Sequence, residues 1–232
     1  SDDLGDLPVY LIPPWASFKP EWVPTLQAFA EAGGILVLGA RTATKDWHNN
    51  VVAETPPGVL QQLTGMRVAE YGRQNAPEKR PLNLRFYPVK AQVTTEHWYE
   101  RLDPLPGTST LARWDNRHLR LKAGVTLRKV GEGAVIYVGT YLTAEIIGAL
   151  LPTLTERRKD LTPVWPTAPE GVHVVVREND EKRLWFFINN NELGATIKEP
   201  PEGDDLVTGK NFGSRIFLKA NDVAVIKQTL LE

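Results

Sequence analysis

The sequence predicts an α/β fold in two parts. A mostly parallel sheet flanked by helices spans residues 1–160, and a small antiparallel β-sandwich spans residues 161–232. Three observations carry this. Residues 9–38 read strand, helix, strand, the spacing of a βαβ unit with parallel strands. The stretch ERRKDLTPVWPTAPE, residues 156–170, changes character, charges first and then three prolines, and marks a boundary. Beyond it nothing has a helical period, and short apolar runs alternate with turn residues.

In chain order, residues 9–12 form a short buried strand ended by Pro13-Pro14. Pro20 fits the first turn of a helix, where its missing N–H is not needed. Trp22, Leu26, Phe29 and Ala30 recur at helical spacing through Ala32, and Gly33 suits a left-handed cap. Residues 35–38 are the next strand. Gly39 then opens a polar loop carrying Arg41, Lys45, Asp46, Trp47, His48, Asn49 and Asn50. Pro56-Pro57-Gly58 starts a helix over 59–64, stopped by Gly65. Residues 66–71 read as a strand, 72–81 as a surface loop, and 82–94 as one or two half-exposed strands of period two. A strand is expected over 110–114. A hairpin follows over 125–138, turning at Gly131-Glu132-Gly133. Thr143 caps a helix whose apolar face is Ile146, Ile147, Leu150, Leu151 and Leu154, with a kink or an early end at Pro152. Five short strands follow, over 172–177, 184–189, 195–197, 215–218 and 223–226.

Composition narrows function. The 232 residues are 42% hydrophobic, enough for a packed core. Net charge is -1, from 27 basic and 28 acidic residues, which argues against a phosphate-neutralising nucleic-acid surface. No apolar run approaches the length of a membrane span. The acidic N-terminus, SDDLGDLPVY, lacks the basic and apolar regions of a signal peptide, so a cytoplasmic location is expected. Cysteine is absent, which removes disulfides, thiolate metal sites and a cysteine nucleophile. The seven tryptophans are sugar-stacking platforms or core and interface anchors.

Most catalytic constellations fail on spacing. Gly131-Glu132-Gly133 sits between strands and reads as a hairpin turn, not a phosphate cradle. The four histidines, His48, His97, His118 and His173, lack zinc-site spacing, so no metal or cofactor is predicted. Thr140 stands at the turn after a buried strand, where a small hydrolase of amidotransferase-like fold would carry its nucleophile, but an ordinary cap explains it better. Glu54, Glu70, Glu96, Glu100 and Asp103 offer carboxylates, yet no spacing selects a glycosidase pair, and a solvated surface is the default for each.

The loop 41–50 is the one concentration of polar chemistry. Arg41, Lys45, Asp46, Trp47 and Asn49 are the interface or ligand candidates. Trp47 would stack, Asp46 and Asn49 would hydrogen-bond, and Arg41 and Lys45 would pair with carboxylates. Equally, Asp46 and the asparagines could close their own turns. A free-standing saccharide-binding module is a competing reading of the same residues.

GGILVLGARTATKDWHNNVV, TPPGVLQQLTGMRVAEYG, GEGAVIYVGTYL, PEGVHVVVRE with LWFFINN, and DDLVTG together resemble the region after the barrel in glycoside hydrolase family 42 β-galactosidases. The order is the same over nearly the whole chain. The resemblance implies a trimerisation domain of class I glutamine-amidotransferase-like (flavodoxin-like) fold without the amidotransferase cysteine, then a C-terminal β domain. It implies a homo-oligomer, a trimer, and galactosides as the ligands of the parent enzyme. The family's catalytic acid and nucleophile are two glutamates on a barrel that this chain is expected to lack, together with the first strand and helix of the middle domain. No catalytic residue is therefore carried onto any position here.

Overall fold

A computed structural model of the chain describes residues 7–73, 82–88, 90–95, 97–162, 164–165 and 167–230. The chain divides into two compact units, Ser1–Leu161 and Thr162–Glu232.

The first unit is built on a nine-stranded sheet. Strand β1 (Val9–Ile12) leads through a 3₁₀ turn, Pro20–Trp22, into helix α1 (Val23–Glu31), and then to β2 (Ile35–Leu38). Pro20 and Pro24 both sit at the start of their helical segments, where no hydrogen bond is lost. Gly33 and Gly34 end α1. Gly33 has φ +103°, and a Cβ on Gly34 would strike the Phe29 ring. The 3₁₀ turn Gly58–Leu60 and helix α2 (Gln61–Thr64) follow, stopped at Gly65 with φ +64°. Strands β3 (Met66–Arg73), β4 (Leu82–Phe86), β5 (Gln92–Thr95), β6 (Trp98–Pro104), β7 (Thr108–Trp114), β8 (Ala123–Val130) and β9 (Gly133–Val138) precede helix α3 (Ala144–Arg157).

The sheet runs β1-β2-β9-β8-β7-β4-β5, with β6 joining β8 and β3 joining β6. β1, β2 and β9 pair in parallel, which makes β1-α1-β2 the predicted βαβ unit. The remaining pairings in this sheet are antiparallel. The expectation of a mostly parallel sheet is thus corrected to a mixed one. The reason is local: short connections join β4 to β5, β7 to β8 and β8 to β9, and parallel strands need a long crossover that these connections lack.

The central strands bury both faces, and alternate residues supply two cores. Ile35, Val37, Ala134, Ile136 and Val138 pack with Ile146, Leu150 and Leu154 of α3. Leu36, Leu38, Val135 and Tyr137 face the other way, against Leu26 and Ala30 of α1 and Leu63 of α2. Each fully buried Ile, Leu or Val contributes about 1.5–3 kcal/mol, so these short strands anchor the unit.

Two smaller expectations change, and the choice between one strand and two over 82–94 is decided. Helix α3 continues through Pro152 to Arg157 instead of ending early. The Thr155 hydroxyl donates to the carbonyls of Leu151 and Pro152, satisfying groups near the disruption. Gly72 and Arg73 belong to β3, and the rest of the predicted surface loop, 74–81, lies outside the described residues. Residues 82–94 form two strands, β4 and β5, paired antiparallel.

The second unit is antiparallel throughout its described pairings. Strands β10 (Val172–Glu178), β11 (Lys182–Asn189), β13 (Asp204–Asp205) and β15 (Val223–Thr229) form one sheet in the order β10-β11-β15-β13. Strands β12 (Ala195–Lys198) and β14 (Arg215–Leu218) form a second. Phe187, Ile226, Ile197, Ile216 and Leu218 share one core between them. Asp205, from DDLVTG, accepts hydrogen bonds from the backbone of Val207, Thr208 and Val225, so it ties a turn to β15.

Candidate functional site

Loop 41–50 leaves the carboxyl end of β2, the edge where open α/β sheets present their ligands. Thr42 starts it: its hydroxyl donates to Gly39 O at 2.7 Å. Arg41 holds a left-handed backbone, φ +66°, which a non-glycine residue adopts only under restraint. The restraint is Glu100, whose Oε1 accepts the Arg41 amide at 2.9 Å.

Glu100 is the centre of the site. It lies on β6 and is only 2% exposed. Oε1 also accepts from Trp98 Nε1 at 3.1 Å, and Oε2 accepts from the Tyr137 hydroxyl at 2.8 Å. Burial pushes its pKa up, against the lowering effect of the Tyr137 and Trp98 hydrogen bonds and of Arg41. Burial, with the adjacent carboxyl, also raises the Tyr137 phenol. The default of a solvated surface is therefore wrong for Glu100. The signal lay in its strand: Trp98, Glu100 and Leu102 share one face at period two, and Leu102 is a core residue.

Above Glu100 opens a cleft of about 350 Å³. Arg41, Lys45, Glu54, Tyr71, Trp98 and Glu100 give it polar and aromatic walls, and Val51, Val52, Pro56 and Val68 an apolar one. Tyr71 stacks on Trp98 with centroids 5.4 Å apart and planes at 17°. The Arg41 guanidinium carbon lies 4.9 Å from the Trp98 centroid, within cation–π range.

The structure separates the predicted site residues. Arg41 and Lys45 line the cleft; Asp46, Trp47 and Asn49 do not. Asp46 closes its own loop. Its Oδ1 accepts from the His48 and Asn50 amides, and its Oδ2 from Asn50 Nδ2 at 3.1 Å. Those bonds, the Asn50 side chain first, lower its pKa. Asn49, at φ +69°, accepts from Lys45 Nζ at 2.8 Å. Trp47 stays 54% exposed, edge-on to Trp22, with Lys19 Nζ 4.3 Å from its ring. Trp15 and Phe18 complete that aromatic cluster.

Two of the other candidate carboxylates are engaged in surface ion pairs. Glu70 and Asp103 pair with Arg101, and Asp103 also with Arg67. Glu96 lies outside the described residues. Thr140 is fully buried; its hydroxyl donates to Trp98 O and shares a hydrogen bond with Thr95, which leaves it no nucleophilic role. Among the described residues no group of three or more His, Asp or Glu is placed to hold a metal, and no helix is long and apolar enough to cross a membrane.

Against known families, the model of the β-galactosidase trimerisation domain matches residues 1–162, and that of the β-galactosidase C-terminal domain matches residues 171–228. The chain belongs to the glycoside hydrolase family 42 trimerisation-domain family. Similar curated relatives include β-galactosidase BgaA of Clostridium cellulovorans, 25% identical over 232 residues, and β-galactosidase BgaB of a Geobacillus species, 27% identical over 231. Each alignment takes in 98% of this chain and 33% of the relative. The chain therefore spans about a third of the length of the curated relatives it matches. Among solved structures, the β-galactosidase from Bacillus circulans sp. alkalophilus aligns with TM-score 0.83 and 19% identity, over 97% of this chain and 34% of that one. The β-galactosidase of the haloarchaeon Halorubrum lacusprofundi aligns with TM-score 0.79 and 21% identity, over 98% and 32%. At these identities the structural likeness establishes the fold.

Proposed function

We propose that this chain is the assembly region and C-terminal region of a β-galactosidase-type glycoside hydrolase. Residues 1–161 hold subunits together as a trimer. The hydrolysis of terminal β-galactosides belongs to a catalytic barrel outside these two domains. The observation that carries this is the pair of family matches, trimerisation domain then C-terminal domain, in that order along one chain. The chemistry of the first unit supports it: Glu100 is locked by three donors, and Glu70 and Asp103 are engaged with arginines. We read the first unit as an amidotransferase-like scaffold without its cysteine. The parallel β1-β2-β9 core, with α1 on one face and α3 on the other, supports that reading.

The test is the mass and activity of the purified 232-residue chain. Sedimentation velocity at micromolar concentration is expected to give the mass of three chains, and a chromogenic galactoside is expected to remain intact. A single-chain mass, or turnover of the galactoside by this chain alone, overturns the proposal.

A further inference from the structure

The cleft above Glu100 has a property that assembly does not require. One buried oxygen, Glu100 Oε1, fixes both the backbone of Arg41 and the indole of Trp98. Those two side chains then lie against each other at the cleft wall, 4.9 Å from guanidinium carbon to ring centroid. Among the described residues no carboxylate or carbonyl accepts from the Arg41 guanidinium; the Trp98 ring is its neighbour. A guanidinium is a planar fork of five donors, suited to a carboxylate in bidentate contact. Here its orientation is set before any ligand arrives, which removes much of the ordering cost of binding.

The charges around it point the same way. Lys45 bonds to the neutral side chain of Asn49, so its charge is not neutralised. Glu54 is exposed, and both oxygens of the Glu100 carboxyl on the cleft floor are already engaged, by the Arg41 amide, the Trp98 indole and the Tyr137 hydroxyl. The remaining wall is apolar, with Tyr71 stacked on Trp98 and open to solvent over 63% of its surface. The volume, about 350 Å³, is in the range of small-molecule sites.

We propose that this cleft binds a small carboxylate, an organic acid or acidic sugar, with Arg41 gripping the carboxylate and the Tyr71–Trp98 pair covering the ligand's body. Glu100 is a positioning residue: it touches Arg41 and Trp98, not the ligand. The proposal is independent of the assembly reading and survives or fails without it.

The 232-residue chain is titrated with glucuronate, citrate and glucose at constant ionic strength, followed by calorimetry and by the indole N–H signals in two-dimensional NMR. Saturable binding of glucuronate or citrate is expected, with glucose at least tenfold weaker. The Trp98 indole signal moves during that titration and the Trp185 signal, from the second unit, does not. Arg41→Gln weakens the carboxylate at least tenfold while the signal of Trp114, buried in the first unit, reports an intact fold. No saturable binding of either carboxylate, equal binding of glucose, or a Trp98 signal that stays still overturns the proposal. The NMR outcome decides the matter on the unaltered chain even if Arg41→Gln does not fold.

Discussion

Glu100 sets the energetics of the first unit's cleft floor, because a carboxyl at 2% exposure keeps three donors satisfied. Its pKa is raised by burial from the ordinary 4.5. The folded chain therefore binds this proton more tightly than the unfolded chain does, and linkage gives stability that is fully present below about pH 4.5 and lost as pH rises toward the folded pKa. Glu100→Gln removes the ionisation and keeps an oxygen for Arg41 and Trp98. Thermal melts of the two proteins are expected to run close together at low pH. Above pH 4.5 the balance shifts progressively toward the glutamine variant. A Tm difference that stays flat across pH would refute the buried-carboxyl account. Glu100→Ala strands the Arg41 amide, the indole N–H and the Tyr137 hydroxyl together, and is expected to cost about 3 kcal/mol or more in chemical denaturation. Little of this was legible from sequence. A charged residue between Tyr99 and Arg101 looks solvated, and only its register with Trp98 and Leu102 gives it away. The opposite holds for Asp46, where the self-closing turn was one of two readings and the hydrogen bonds to His48 and Asn50 realise it.

Elements were easier to read than their pairing. The spans of β1, α1, β2, β9 and α3 follow from apolar period and from Gly and Pro punctuation, which act within a few residues. Parallel against antiparallel is decided by connections and partners. β2 and β9 look like interior strands of a parallel sheet because both faces are buried, and they are parallel to each other. β8 is nearly as buried, yet it runs antiparallel to β9. What joins β8 to β9 is the Gly131-Glu132-Gly133 turn, whose second glycine is a packing position. A Cβ on Gly133 would collide with the carbonyl oxygens of Gly34 and Ala30 where the hairpin crosses the end of α1. Gly133→Ala should therefore destabilise the chain by roughly 1–3 kcal/mol through forced backbone shifts. The denaturation midpoint reads the loss, and Gly148→Ala, where a Cβ meets nothing within 4 Å, serves as the comparison. Equal midpoints for the two variants would mean that the crossing yields without cost.

For the molecule as a whole, the proposed assembly role asks which surface would draw copies of the chain together. Outside the cleft, loop 41–50 leaves the Trp47 ring 54% exposed beside Trp22, an apolar face of the kind that a subunit contact buries. Trp47 is the sharpest probe of that face. Its ring touches Trp22 edge-on and Lys19 from above, but the loop's shape is fixed by Asp46, whose carboxylate accepts from the His48 and Asn50 amides that follow it. Trp47→Ala should then leave the loop intact and remove contact area alone, weakening self-association at least tenfold by sedimentation equilibrium while thermal stability measured at low concentration stays near that of the parent. Asp46→Ala acts differently. It frees the His48 and Asn50 amides, reshapes the loop and moves Trp47, so it should weaken association as well, with some loss of stability because the turn itself is undone. Loss of association in Asp46→Ala but not in Trp47→Ala would show that loop shape matters and the indole does not. Unchanged association in both would place the contact on another face of the unit, leaving the Trp15, Phe18, Trp22 and Trp47 cluster as internal packing of the loop.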